Sequence, residues 1–343
     1  MPDTTLPGVP RILLVRFSSI GDILLATPLI RALRARHPAA RIDVLTKASF
    51  APLLVDNPRL NAVLAASTTD SPAELAGRLR AGRYTHHLDL HGSVRSLLLR
   101  LLVPGNWHGY SKHRVARAAL IRTHRNRYPA GTPPVPERYF QAAAGLDVTP
   151  DAGSLEFFLA GGARAEAAAW LSSAGVTVDH EIVALAPGAA HFTKRWPVER
   201  WTALATALAA AGRQVLLLGG PEDVTAATAV ANAVPGALNA AGQFGLQGTG
   251  ALLRRSRALV SGDTGVMHMA TGVGTPVVAL FGPTVEAFGF FPYHARARVV
   301  QHDLPCRPCS RMGGPVCPLS HHDCLRRIEP DEVLSTLAPL MSA

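Results

Sequence analysis

Ile182-Val183-Ala184-Leu185-Ala186-Pro187-Gly188-Ala189-Ala190-His191-Phe192-Thr193-Lys194-Arg195-Trp196-Pro197 is the stretch that decides the fold. It opens with five apolar residues and no polar alternation, the pattern of a strand buried on both faces. Pro-Gly then ends the run ahead of a helical pattern over Val198–Ala211. A strand covered on both sides belongs in a parallel sheet flanked by helices. The unit recurs downstream, where strands at Val215–Leu218, Ala258–Val260 and Val277–Phe281 alternate with helices at Asp223–Val234, Leu246–Arg255 and Gly265–Thr271. Upstream, strands at Ile12–Phe17, Ile42–Thr46, Ala62–Leu64, Thr85–Leu90 and Trp107–Tyr110 are separated by helices at Ile23–Arg36, Pro72–Arg80 and Val94–Leu102. A Pro/Gly-rich stretch, Tyr128–Pro136, and a short connection near Asp147–Ser154 divide the two series. The predicted architecture is α/β: two Rossmann-like, doubly wound domains facing a cleft, over 1–150 and 151–325, with a C-terminal helix over 326–343 packing back on the first domain. Ligands of such sheets bind beyond the carboxyl ends of the strands, so function is sought in the loops there.

Composition agrees with this size and class. The chain has 343 residues, room for two domains, with 48% hydrophobic and 17% charged residues, and its 30 Gly and 27 Pro are dispersed. Disorder, collagen and coiled coil are excluded. No apolar run reaches the roughly 18–20 residues of a membrane span, and Met1-Pro2-Asp3 lacks a signal peptide's basic and apolar regions, so a cytoplasmic location is expected. The net charge of +10 is uneven: residues 1–150 carry 20 Lys/Arg against 9 Asp/Glu, the remainder 14 against 15. That asymmetry points to an anionic partner for the first half: nucleic acid, a membrane surface or a phosphorylated substrate.

Three groups of loops carry chemistry. Phe17-Ser18-Ser19-Ile20-Gly21-Asp22 joins the first strand to a helix and is neither GxGxxG nor a P-loop, which disfavours a dehydrogenase. Asp22, at the helix start, either caps free backbone N–H groups or removes a proton from a substrate hydroxyl. In the second half, Pro187, Gly188, Thr193, Lys194 and Arg195 combine a turn, a hydroxyl and two cations before a helix, an arrangement suited to a diphosphate. Gly219-Gly220 permits close backbone approach, and Glu222 either accepts from ribose or base hydroxyls or simply begins a helix. Asp263-Thr264-Gly265-Val266-Met267-His268 presents backbone N–H groups if Asp263 caps the helix, and Phe281-Gly282-Pro283-Thr284 adds a hydroxyl. Together these loops describe a nucleotide-diphosphate pocket.

Those motifs, in that order and spacing from about Arg11 to Leu334, resemble glycosyltransferase family 9, the lipopolysaccharide heptosyltransferases. The resemblance implies a GT-B fold, an ADP-heptose donor in the second domain and a lipid A inner-core acceptor in the first. It also implies an inverting mechanism with Asp22 as general base and Lys194 beside the leaving group. Donor contacts would come from Pro187, Gly188, Thr193, Lys194, Gly220, Glu222, Asp263, Thr264, Gly265 and His268. Acceptor contacts are expected from Ser19, Gly21, His91, Arg95, Lys112, Arg122 and Arg125. The last three lie in a run from Lys112 to Arg127 with six Lys/Arg and no acid, suited to a phosphate-rich acceptor and to the inner face of the cytoplasmic membrane.

No Asp-x-Asp occurs, so no metal or other cofactor is expected in catalysis. Cys306, Cys309, Cys317 and Cys324 have spacing compatible with a structural zinc or with reduced thiols packing a loop, and their segment resembles the second-heptose enzymes. Two other readings remain at this point. A sugar-nucleotide epimerase would share the architecture but gives no reason for the basic half. A zinc-dependent nucleic-acid binder would interleave aromatics with its cations, which this chain does not; no nucleic-acid partner is expected.

Overall fold

The computed structural model describes residues 8–342, so the Met1-Pro2-Asp3 opening lies outside the described residues. The first of two compact units runs to Lys112 and resumes over Val135–Gly153. Its elements are β1 (Arg11–Val15), α1 (Ile20–Leu24), α2 (Thr27–Arg36), β2 (Arg41–Lys47), β3 (Ala62–Ala66), α3 (Pro72–Ala81), β4 (His86–Asp89), α4 (Val94–Leu102) and β5 (Asn106–Gly109). The strands are all parallel in the order β3-β2-β1-β4-β5. Leu13 and Val15 of β1 pack with Leu45, Leu75, Leu79 and Leu99 on one side of this sheet.

The single helix expected over Ile23–Arg36 is two. Pro28 lacks an N–H and its ring would clash with the carbonyl of Leu24, so α1 ends there; Thr27 Oγ1 donates to that carbonyl at 2.7 Å. α3 starts where a capping box specifies it, with Glu74 N–H donating to Ser71 Oγ at 3.2 Å, Ser71 N–H donating to Glu74 Oε2 at 2.8 Å, and Pro72 at the first position.

The second unit takes His113–Pro134 and everything from Ser154. It contains α5 (Arg114–Thr123), whereas α6 (Val135–Arg138) returns to the first unit. From there it runs α7 (Gly161–Ser173), β6 (Ile182–Ala186), α8 (Val198–Ala210), β7 (Gln214–Leu217), α9 (Val224–Ala233), β8 (Leu238–Asn239), α10 (Leu246–Arg255), β9 (Ala258–Gly262), α11 (Gly265–Val273), β10 (Val277–Leu280), β11 (Ala297–Val300), α12 (Asp323–Arg326) and α13 (Pro330–Ser342). Its parallel strands stand in the order β11-β10-β9-β6-β7-β8, the Rossmann order read from one edge. All of β6 is buried, as its unbroken apolar run requires.

Two expectations about the division are corrected. The basic run from Arg114 to Arg127 folds with the second unit, where His124 Nδ1 lies 3.3 Å from the Arg307 carbonyl, and so is not part of the first sheet's domain. The C-terminal helix α13 packs on the second sheet instead of the first domain: Val333, Leu337 and Leu340 enter the core that holds Val183, Leu204, Val260 and Leu280. Three such side chains supply about 1.5–3 kcal/mol each on burial, which fixes the helix there.

Candidate active site

In each sheet the strand order reverses beside the first strand, between β1 and β4 and between β6 and β9, and open α/β sheets bind ligands at the carboxyl ends of such pairs. Both points carry the residues singled out in the sequence.

At the first, Arg16 leaves the end of β1 buried and turns to Asp22, Nη2 to Oδ1 at 2.5 Å; its Nη1 also donates to the Leu90 carbonyl beyond β4. Asp22 Oδ2 accepts from Ser19 N–H at 3.2 Å and from Ser19 Oγ at 2.9 Å. Asp22 therefore does cap the chain's entry to α1, and its side chain is still 20% exposed. Burial pushes its carboxyl pKa up, but the Arg16 charge and the two Ser19 donors outweigh that and hold it below the usual value. Burial acts against the charge of Arg16 as well, and Tyr139, Asp22 and Tyr110 more than compensate, so the guanidinium stays charged. Gly21 is buried and Ser19 exposed.

Across from β1, Asp89 at the end of β4 accepts from the N–H groups of His91 and Gly92 at 2.9 and 2.8 Å, fixing the loop that carries His91. Burial, then Arg16 and Lys112, push the His91 imidazole down to about 4, so it is neutral at physiological pH. Its Nδ1 is buried without a hydrogen-bond partner, and the Lys112 ammonium donates to its carbonyl. Arg95 is committed nearby: its guanidinium lies 4.9 Å over the Phe17 ring and Nη2 donates to Ser67 O and Asp70 O, each at 3.3 Å. Arg122 and Arg125 lie on the exposed surface of the second unit, on and just after α5, apart in the chain from these loops.

At the second switch point three loops are tied together. Lys194, in the short 3-10 turn Phe192–Lys194, pairs through Nζ with Asp263 Oδ2 at 2.6 Å and donates to Asp263 O at 3.2 Å. Thr284, after β10, donates to the same Asp263 Oδ2 at 2.7 Å. Asp263 is thus bonded sideways and does not cap α11, as the sequence suggested; the N-cap is Thr264, with no side-chain cap hydrogen bond. The first N–H groups of α11, beginning at Gly265, are left without a side-chain acceptor, the arrangement in which helix ends hold anions. Thr264 Oγ1 instead faces Ser261 Oγ at 3.1 Å, and His268 is buried in the first turns of α11.

Arg195 does not join Lys194: its Nε donates to the Ala189 carbonyl at 2.8 Å, closing the turn after Pro187 and Gly188. The Thr193 hydroxyl is also in use, accepting from Gly314 N–H at 2.9 Å and lying 3.3 Å from Gly314 O. Glycines at 188 and 219 admit a residue that the sequence did not single out. A Cβ at either would lie 1.9 or 2.5 Å from the Asp223 side chain, which accepts from Gly220 N–H at 2.9 Å. Burial raises the pKa of Asp223 despite that N–H. Glu222 is exposed at the same rim.

The zinc expectation is not supported. Among the described residues no three or more His, Cys, Asp or Glu are placed to hold a metal ion, and the four cysteines are free thiols. Burial, and the like charge of the neighbouring cysteines, push the Cys324 thiol up to about 12 and raise Cys309 as well. The segment instead braces the site. Arg307 donates to Thr284 O at 2.8 Å and to Gly282 O, while His322 Nε2 lies 3.1 Å from Thr193 O.

Residues 73–319 match the family model for glycosyltransferase family 9 (heptosyltransferase). The chain belongs to this family. Lipopolysaccharide heptosyltransferase 2 of Salmonella typhimurium is 28% identical over 97% of this chain and 99% of that protein. The solved Escherichia coli ADP-heptose lps heptosyltransferase II has a TM-score of 0.75 at 26% identity, covering 97% of this chain and 98% of the other. A family 9 glycosyltransferase from Veillonella parvula has a TM-score of 0.80 at 22% identity over 97% of each chain, a likeness of fold. The chain is therefore a heptosyltransferase, an enzyme of the EC 2.4 class, with the GT-B fold; the epimerase and nucleic-acid readings give way to this. No helix among the described residues is long and apolar enough to cross a membrane.

Proposed function

We propose that this heptosyltransferase moves heptose from ADP-heptose to the inner core of lipopolysaccharide on its lipid A–Kdo anchor, with inversion, working peripherally on the inner face of the cytoplasmic membrane. The observation that carries the reading is the opposite chemistry of the two switch points: an ionised carboxylate at the first sheet, a lysine and an uncapped helix N-terminus at the second. The names of the relatives support ADP-heptose as donor and, through the second-heptose enzymes among them, an acceptor that already bears one heptose.

A carboxylate has about four lone-pair directions, and Arg16 and Ser19 engage three at Asp22, which leaves one for an acceptor hydroxyl. As that oxygen bonds to the anomeric carbon, its proton passes to Asp22 and the ADP oxygen departs with the bonding pair. Arg16 keeps Asp22 ionised but weakens it as a base, so the proton moves late, once attack has made the hydroxyl acidic. Lys194 has three N–H donors, of which Asp263 takes two; the third, with the N–H groups at the start of α11, meets the charge growing on the diphosphate. Attack opposite the leaving group inverts the carbon. The donor set is Pro187, Gly188, Thr193, Lys194, Gly220, Glu222, Asp263, Thr264, Gly265 and His268. Ser19, Gly21, His91, Arg95 and Lys112, all of the first unit, serve the acceptor.

The test is product analysis by mass spectrometry with ADP-heptose and Kdo-lipid A acceptors lacking or bearing the first heptose, with and without EDTA. A single heptose added to the acceptor that bears one, at the same rate with chelator, is the expected result. Transfer only from another sugar nucleotide, or activity lost in EDTA and restored by magnesium, would overturn the reading.

A further inference from the structure

Helix α4 carries a face that the described residues leave uncovered. Its inward side is Ser96 and Leu99, followed by Val103 at the cap. On the other side Val94, Leu97, Leu98 and Leu101, spaced i, i+3, i+4 and i+7, are 76%, 54%, 40% and 75% exposed. At about 100° per residue these four form one stripe roughly 100° wide, and Arg95 and Arg100 fall about 110° to either side of its centre. Single exposed leucines are ordinary; a contiguous stripe of four marks a contact surface.

Charge selects the contact. From Pro72 to Val103 the chain carries five arginines, at 78, 80, 83, 95 and 100, against Glu74 and Asp89, and Asp89 is buried. Arg80 crosses to the end of α4, where Nε and Nη2 donate to Leu102 O at 3.0 and 2.8 Å, and Arg83 and Arg100 are exposed. An apolar stripe edged with guanidinium groups suits the boundary of an anionic bilayer, where leucines enter the acyl region and arginines meet phosphates. A second copy of this chain fits poorly, because a two-fold contact would set the same arginines against each other.

We propose that the Val94–Leu101 face of α4 is a docking surface for an anionic phospholipid bilayer. The helix follows directly from the Asp89–Ser93 loop that carries His91, and Arg95 from its first turn stacks on Phe17 in the loop leading to Asp22. Docking there holds the Asp22 loop close to the plane in which a lipid-anchored acceptor lies. This second step rests on the lipid A reading above; the docking itself does not.

Vesicle flotation separates the two. Wild type is expected to float with phosphatidylglycerol-containing vesicles and not with pure phosphatidylcholine. The triple variant Val94→Gln/Leu97→Gln/Leu101→Gln, which keeps good helix formers, should lose about tenfold or more of that binding. Its ADP affinity by calorimetry and its turnover on detergent-dispersed acceptor should not change, whereas turnover on vesicle-embedded acceptor falls. If the triple variant does not fold, Arg100→Glu alone should weaken vesicle binding and flatten its salt dependence. Unchanged vesicle binding in both variants, or none in wild type, overturns the proposal. So does a wild-type dimer by light scattering that the triple variant makes monomeric without any vesicle binding. Vesicle binding that behaves as expected in an enzyme that does not glycosylate lipid A acceptors leaves the docking surface standing and removes the acceptor assignment.

Discussion

The two switch points share a topology and differ in which charge is left open. Beyond β1 the cation is spent: Arg16 is buried against Asp22 and Leu90 O, and the carboxylate keeps an exposed edge. Beyond β6 and β9 the anion is spent: Asp263 is held by Lys194 and Thr284, while the N-terminus of α11 has no side-chain cap. Strand order decides where a ligand binds, and the partner each charged residue finds decides whether the place accepts a proton or stabilises a negative leaving group.

Asp22→Asn breaks this contrast most directly. The amide oxygen can still accept from Ser19, so the cap survives while the base is lost. The expected result is a fall of about 10²–10⁴-fold in kcat with unchanged ADP affinity by calorimetry. Turnover near wild type would reduce Asp22 to a cap. At the other sheet, Lys194→Met removes the cation and leaves Asp263 with Thr284 alone. A loss of about 10²–10³-fold in kcat/KM is expected, with weaker ADP binding because the charge meets phosphate in both ground and transition states. Full ADP affinity would take Lys194 out of the donor pocket.

Arg16→Met sharpens the comparison with a smaller effect. With the guanidinium gone, burial is the largest influence left on Asp22 and its pKa rises, so the carboxylate is protonated at higher pH than in wild type. Wild-type activity should therefore hold as pH falls until well below neutral, whereas the variant's acidic limb moves toward neutral and its deficit shrinks at alkaline pH. Parallel pH profiles of kcat/KM would show that Arg16 does not tune Asp22.

By itself the sequence determined what depends on local pattern. Unbroken apolar runs such as Ile182–Ala186 gave parallel strands, and the positions of the residues after them, Ser18 to Asp22, Thr193-Lys194 and Asp263-Thr264, at carboxyl ends were legible because strand-to-helix loops have fixed places in such sheets. Where a short element carried little periodicity the reading failed: β8 has two residues, and β11 is a partly exposed edge. Only the tertiary structure decided the pairings across distance. Arg16 reads as one more strand residue until the β4 loop brings Leu90 O beside it. Asp263 looks like a cap until Lys194 and Thr284 arrive from two other loops. The cysteine spacing suggested a metal, yet among the described residues no three ligands are placed to hold one, and Arg307 of the same segment braces the Thr284 loop. α4 is the plainest case, because Val94, Leu97, Leu98 and Leu101 have the spacing of a core-facing stripe. Periodicity states that a helix has an apolar side; whether that side meets protein or is left open depends on how much of the helix its neighbours cover, and that is fixed only when the whole chain has folded.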